Sequence, residues 1–234
     1  MIARDGWTLI LTGLLVTVVA LWAATRWDNL YVFAIGVLFA IATLFTVYFF
    51  RDPERVIQAE PDMLMAPADG RVVKIDTLAT YPFVGDRAIQ VSIFLSVFNV
   101  HVNRVPTAGT IAYVKYNPGQ FLAAYEDKAS EVNEQTEIGL VTQSGRKVIF
   151  KQIAGIIARR IVCRLSQGET VAAGSRFGMI KFGSRVDLLV PSDSRITVKV
   201  GQAVYGGKTV MGYLAPPVTV SNTSKDREEI NEQL

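Results

Sequence analysis

Two unbroken apolar runs near the amino terminus constrain this chain more than anything else in it. Trp7 to Ala24 is 18 residues without a charge, and Leu30 to Phe50 is 21. At 1.5 Å of rise per residue they form helices roughly 27 and 31 Å long, against a hydrocarbon core of about 30 Å. Trp7, Trp22, Trp27, Tyr31 and Tyr48 stand near the run ends, where amphipathic rings favour the headgroup level. The competing reading of the first run is a signal peptide, since Arg4 provides a positive leader. However, the second run follows after only Thr25-Arg26-Trp27-Asp28-Asn29, and no small-x-small cleavage site precedes a polar mature sequence. The runs therefore predict a membrane hairpin over residues 1–50, with spans near 7–24 and 30–50. So short a turn holds the helices close together, and Gly13, Gly36 and several alanines leave room for that.

Two spans put both ends of the hairpin on one side of the membrane. Arg4 before the first span and Arg51, Arg55 and Arg71 after the second, against Arg26 alone in the turn between them, bias that side towards the cytoplasm, which predicts a cytoplasmic body on the inner membrane. The single cysteine, Cys163, excludes an intramolecular disulfide framework and fits a reducing compartment. Arg4, Asp5, Arg26 and Asp28 cancel, so the net charge of +3 belongs to the body. An excess this small does not indicate nucleic-acid binding. It suits an anionic membrane surface, where each nearby Lys or Arg contributes about 1 kcal/mol. One histidine and one cysteine make no zinc cluster, so no metal is expected.

Arg51-Asp52-Pro53-Glu54-Arg55 stops the second helix, and the pattern then changes to period two. Ile89, Val91, Ile93 and Leu95 alternate with Gln90, Ser92 and Ser96, and Ile196, Val198 and Val200 with Thr197 and Lys199. Further strands are expected over 71–75, 109–115, 138–142, 147–152, 159–164 and 185–190. Glycine-bearing turns separate them, as at Ala68-Asp69-Gly70, Asn117-Pro118-Gly119 and Gln143-Ser144-Gly145. Residues 51–220 thus read as a mainly β catalytic domain, sandwich-like or barrel-like, rather than as βαβ units. Residues 121–134 read equally as a short helix or a long loop, and residues 221–234 as a polar tail. Gly168-Glu169-Thr170-Val171-Ala172-Ala173-Gly174 and Gly201-Gln202-Ala203-Val204-Tyr205-Gly206-Gly207 resemble glycine-turn units of lipoyl domains and suggest duplicated lobes.

Gly183-Ser184 occupies a tight link between Met179-Ile180-Lys181-Phe182 and the strand expected from Arg185. If the link is strained, glycine reaches backbone angles closed to other residues and leaves its carbonyl open to attack. From pattern alone a turn serine remains the ordinary reading, and Gly174-Ser175 is a second such dipeptide in a plain loop.

Several blocks, in order, resemble the short prokaryotic, membrane-anchored form of phosphatidylserine decarboxylase. They are Phe50-Arg51-Asp52-Pro53, Ala66-Pro67-Ala68-Asp69-Gly70, Phe94-Leu95-Ser96-Val97-Phe98-Asn99-Val100-His101-Val102-Asn103-Arg104, Gln152-Ile153-Ala154-Gly155 with Ala158-Arg159-Arg160-Ile161-Val162, and the segment 179–191. The resemblance implies that the chain is cut between Gly183 and Ser184 by internal serinolysis, into residues 1–183 and 184–234 that stay associated. Ser184 would become a covalent, self-generated pyruvoyl cofactor. That group would act as the electron sink for decarboxylating phosphatidylserine to phosphatidylethanolamine and carbon dioxide. A homo-oligomer, most simply a dimer, is expected.

The resemblance also distributes roles. His101, the chain's only histidine, matches the family's catalytic imidazole, and Asp69 matches the aspartate that orients and charge-balances it. Many longer relatives carry a second histidine where this chain has Arg104. Arg104 stays protonated and cannot be a base, so it is read as an oxyanion or substrate contact. Asn133 and Glu134 fall in a block like the family's Asn-Glu segment and are candidate contacts beside a turn reading. Phe83 and Phe98 read as core, with lipid contact as the alternative. Two other functions stay open: a non-enzymatic, membrane-anchored lipoyl-like adaptor, and a pyruvoyl enzyme for a soluble amino acid. The first lacks the exposed lysine between methionines of a modified carrier, and the second does not need an anchor.

Overall fold

A computed structural model of the chain describes residues 1–85, 87–122, 129–155, 161–181 and 184–216. The predicted hairpin is present as α1 (Trp7–Trp27) and α2 (Leu30–Phe49), preceded by one 3-10 turn at Arg4–Gly6. Both helices are long and apolar enough to cross a membrane, and only 22% and 6% of their apolar stretches is buried within the protein. Core helices of a soluble body would be mostly covered. These are not.

The five-residue turn expected between the helices contracts to Asp28 and Asn29. Asp28 takes a left-handed backbone (φ 46°) that ends α1, and Asn29 Oδ1 accepts from the Tyr31 and Val32 N–H groups, capping α2. A Cβ on Gly13 would stand 2.7 Å from Thr43 Oγ1, and one on Gly36 2.7 Å from Leu21 Cδ2. The close helix contact therefore depends on those two glycines. The hairpin's ends are tied together at its base. The Ala3 N–H donates to the Phe50 carbonyl (2.8 Å), and the Asp52 N–H to the Met1 carbonyl (2.8 Å).

Beyond residue 51 the regular structure of the described residues is strand, apart from one helical turn, as the period-two pattern predicts. In chain order the strands are β1 (Met63–Met65), β2 (Gly70–Leu78), β3 (Ala88–Leu95), β4 (Val102–Arg104) and β5 (Gly109–Asn117). After α3, a single turn at Ala129–Val132, come β6 (Gln135–Val141), β7 (Lys147–Ala154), β8 (Ile161–Cys163), β9 (Thr170–Val171) and β10 (Arg176–Ile180). The last are β11 (Ser184–Pro191), β12 (Arg195–Ile196), β13 (Ala203–Val204) and β14 (Val210–Tyr213). Eight of them form an antiparallel sheet in the order β13-β2-β3-β11-β7-β6-β5-β9, curled into a half-barrel. Two smaller sheets, β1-β14-β12 and β4-β10-β8, complete the body. The core lies on the concave side, where Val72, Ile93, Leu140, Phe150, Val186 and Leu188 are buried together.

One expected strand is shorter than its alternation suggests. The ladder after Arg195 ends at Ile196, because Lys199 N–H turns to Gln202 Oε1 and Gly201 takes φ 87°. Val198 still reaches the core. Val200, the next residue of the expected alternation, is exposed, so the strand's inward face ends at Val198. Within 121–134 the described part holds α3, while residues 123–128 lie outside the described residues, as do 156–160, 182–183 and the expected tail.

The strand order maps onto itself when reversed, pairing β2 with β5 and β13 with β9. The two glycine-turn segments sit in equivalent places. Gly201 N–H donates to Val72 O (2.7 Å) and Val72 N–H to Gln202 O (2.9 Å). In the other half Gly168 N–H donates to Ile111 O (2.8 Å) and Ile111 N–H to Glu169 O (2.9 Å). β2 and β5 share one burial pattern, and each carries a register shift just after its third residue.

Candidate active site

Ser184 is the first residue of β11, in register with Leu95 at the end of β3 and Ala154 at the end of β7. Three strand ends therefore meet at this serine. Alternation puts its side chain on the concave face with Val186 and Leu188, fully buried, and Oγ has no hydrogen-bond partner among the described residues. An unpartnered buried hydroxyl costs about 1–3 kcal/mol, so its persistence needs a reason other than stability. Gly183, on the other side of the expected scissile bond, lies outside the described residues. The second dipeptide is different. Ser175 Oγ donates to the Ala172 carbonyl at 2.7 Å and Gly174 has φ 73°, the arrangement of an ordinary turn.

His101 follows a turn built by its own neighbours. Asn99 Oδ1 accepts from Ser96 N–H (2.9 Å) and Ser96 Oγ (2.8 Å), which brings the Asn99 carbonyl to 3.0 Å from His101 Nδ1. A carbonyl only accepts, so Nδ1 carries the proton and Nε2 the lone pair. Nε2 is buried and, among the described residues, has no partner. Burial pushes the imidazole down to about 4; the Asn99 carbonyl opposes this, the Arg51 charge adds to it, and the Asp69 charge opposes it. The ring is neutral at pH 7, with its basic nitrogen free.

β4 runs antiparallel to β10 with Val102 opposite Met179, so His101 immediately precedes a strand paired with the one that ends at Ile180, four residues before Ser184. The hairpin covers His101 and its surroundings. Phe49, the last residue of α2, lies over the imidazole with ring centroids 4.2 Å apart, and Lys181 Nζ stands 5.7 Å above the Phe50 ring.

Asp69 precedes β2 and is buried. Its carboxylate accepts from Arg55 through both oxygens (2.6 and 2.8 Å) and from Gly206 N–H (2.8 Å). No hydrogen bond joins it to His101 among the described residues, although its charge acts on the ring. Arg104 is also buried. It donates to the Gly174 carbonyl (3.0 Å), the Pro53 carbonyl (3.2 Å) and Asp52 Oδ1 (3.3 Å), while Arg176 Nε holds Asp52 Oδ2 at 2.6 Å. Residues 52–55, just after the hairpin, thus form an ion-paired strap across Asp69 and Arg104. Asn133 Nδ2 donates to the carbonyls of Ala154 (2.8 Å) and Leu122 (2.9 Å), bracing the β7 end opposite Ser184. Glu134 contributes main chain, its carbonyl accepting from Ala154 N–H at 2.9 Å.

Three residues escape sequence reasoning. Gln152 Nε2 donates to Asn103 Oδ1 at 2.8 Å in the interior, and Asn103 Nδ2 and Gln152 Oε1 are left without partners among the described residues. The available signal was phase, since Gln152 shares the apolar face of β7 with Val148, Phe150 and Ala154. Phe49 carried no signal of its own within an apolar run. Phe98 is not core. It is 63% exposed and meets Phe45 of α2 edge-on, at 6.4 Å between centroids.

Comparison with known proteins adds an independent finding. A family model described as phosphatidylserine decarboxylase matches residues 42–212. Three similar proteins each carry the name phosphatidylserine decarboxylase proenzyme. That of Symbiobacterium thermophilum is 46% identical over 213 residues, covering 91% of this chain and 95% of the relative. That of Desulfotalea psychrophila is 47% identical over 177 residues (76% and 83%). One from Chlorobium phaeobacteroides strain BS1 is 53% identical over 171 residues (73% and 79%).

Proposed function

The chain belongs to the phosphatidylserine decarboxylase family, and we propose that it is a membrane-anchored proenzyme that cuts itself between Gly183 and Ser184 and then decarboxylates phosphatidylserine to phosphatidylethanolamine. The observation that carries this reading is that two buried atoms, Ser184 Oγ and His101 Nε2, have no hydrogen-bond partner among the described residues. One is a nucleophile without a donor or acceptor and the other is a lone pair without a proton.

His101 Nε2 takes the Ser184 Oγ proton as the oxygen attacks the Gly183 carbonyl carbon. The Gly183–Ser184 C–N bond breaks, the nitrogen is protonated, and an ester replaces the amide. Removal of the Ser184 α-proton then expels Gly183 as a carboxylate from Cβ. Residue 184 becomes dehydroalanine, and water displaces its nitrogen as ammonia to leave the pyruvoyl group. Ser184 suits such a group because it is buried, otherwise unengaged and held by a strand on each side. The pyruvoyl group supplies an electron sink for the pair released as the substrate's carboxylate departs as carbon dioxide. His101 returns a proton to the substrate's α-carbon. Asp69, held in place by Arg55 and Gly206, balances the charge the imidazole carries in passing.

The cut leaves β11 between β3 and β7, so residues 184–234 stay bound to residues 1–183 through both flanking ladders. The hairpin lies in the cytoplasmic membrane with the body in the cytoplasm. Substrate acyl chains stay in lipid while the serine headgroup reaches Ser184. Intact mass spectrometry of the denatured protein tests this. We expect a 1–183 fragment and a blocked 184–234 fragment about 17 mass units lighter than its serine-terminated form, the mass of lost ammonia. Uncut chain alone in a preparation that turns over phosphatidylserine would overturn the reading.

A further inference from the structure

The turn that carries His101 is pinned to the membrane hairpin at three points. Arg51 donates to the Phe98 carbonyl at 2.6 Å, and Tyr48 Oη donates to the same oxygen at 3.2 Å. The Phe98 ring meets Phe45, and Phe49 covers His101. Phe45, Tyr48 and Phe49 share one side of α2, since residues three and four apart are neighbours on a helix. The Arg51 guanidinium lies 3.9 Å over the Tyr48 ring, as at a helix end where charge meets the headgroups.

Depth follows from helix geometry. Phe45 is six residues before Arg51, about 9 Å further along the axis. Each interfacial layer of a bilayer is about 5–8 Å thick. With Arg51 among the headgroups, Phe45 lies at the hydrocarbon boundary. Phe98 has its carbonyl at the level of Arg51 and Tyr48 and its ring against Phe45, so the ring points down the helix towards lipid. A phenylalanine 63% uncovered by protein at that depth has one natural environment.

We propose that the Ser96–Asn99 turn is seated in the bilayer, with the Phe98 side chain inserted among acyl chains beside α2. The seat presents His101, two residues beyond Asn99, at headgroup depth. The same turn that dips into lipid supplies the Asn99 carbonyl that sets the imidazole tautomer. The proposal rests on the hairpin spanning the membrane and concerns a loop of the body, which a tethered but detached domain would keep in water.

The test places an environment-sensitive nitrobenzoxadiazole label at three cysteines in a Cys163→Ser background, in nanodiscs of phosphatidylcholine and phosphatidylglycerol. The positions are Phe98→Cys, Leu38→Cys in the middle of α2, and Val56→Cys just beyond the hairpin. Position 98 should be protected from aqueous iodide and quenched by a nitroxide placed shallowly on the acyl chains. Position 38 should respond to a deep nitroxide and position 56 to iodide. Iodide quenching at 98 with 38 still in lipid overturns the seated turn and leaves the spanning hairpin intact. Iodide quenching at both overturns the hairpin and the proposal together.

A second arm compares Phe98→Asp with Phe98→Leu after both have been shown to self-cleave. The ratio of phosphatidylserine turnover in vesicles to turnover of a dispersed short-chain phosphatidylserine should fall about tenfold for the aspartate. Equal ratios would overturn the proposal. Absence of turnover by either variant and by the parent chain would instead sink the decarboxylase reading, and the label positions would still decide the seat.

Discussion

The two faces of β11 hold contrasting polar groups one residue apart. On the concave face Ser184 Oγ is buried with no partner among the described residues, and one histidine nitrogen, His101 Nε2, is in the same condition. On the convex face Arg185 and Asp187 are equally buried but fully engaged. Asp187 accepts from Arg185 Nε (2.7 Å), Gln90 Nε2 (2.8 Å) and Ser130 Oγ (2.6 Å), while Arg185 also donates to Ser92 Oγ (2.6 Å). Burial and charge alone would pick the convex cluster as the more unusual. Satisfaction reverses that judgement. A completed network has nothing left to give a substrate, whereas unpartnered groups held against the cost of desolvation are free to react.

The sharpest break of this contrast is Ser184→Ala. It should leave a single uncut chain on a denaturing gel and no phosphatidylserine turnover. Next comes His101→Gln, which keeps a polar side chain of similar reach but removes the base. Self-cleavage after cell-free synthesis into nanodiscs should slow by about 10²–10⁴. Slowing of less than twofold would assign the base elsewhere.

Asp187→Ala, on the convex face, should act on stability. It removes the carboxylate to which the buried Arg185 Nε donates, and the uncut Ser184→Ala background should lose about 3–5 kcal/mol by denaturant titration. An unchanged midpoint would mean the convex cluster is not structural. The smallest effect is expected from Phe49→Ala. Burial lowers the imidazole to about 4, so its neutral, basic form exists above that pH and is lost as pH falls through it. Removing the covering ring admits water and moves the acid limb of self-cleavage upward, towards the ordinary value of about 6.5. At pH 7.5 the rate should change only severalfold. An acid limb that stays put while the rate falls would mean Phe49 acts only through packing.

The same lesson separates the two matching halves of the sheet. Asp69, ahead of β2, is buried and ion-paired, while Ala108, at the matching place ahead of β5, is solvent-exposed. Only the first corner faces the strap that follows the hairpin. Sequence reasoning reached Asp69 through its motif. It could not reach Arg55 as the partner, because nothing local links a charge after the hairpin to a carboxylate 14 residues on. Arg104 was read as a substrate or oxyanion contact, and its hydrogen bonds to Asp52, Pro53 and Gly174 were equally invisible.

What the sequence determined by itself are the properties written in neighbouring residues. An uncharged run of bilayer length makes a hairpin wherever the chain lies, and alternation makes strands with one buried face. Residues brought into one short motif, such as Ser96 to His101, carry their turn with them. What only the tertiary structure decided are pairings across distance: Phe49 on His101, Asn103 on Gln152, and Ser184 between Leu95 and Ala154. Those depend on strand register, and a one-residue slip turns every side chain to the other face. Register comes from the packing of the whole sheet, so which buried groups find partners and which stay free to react is settled only when the chain has closed.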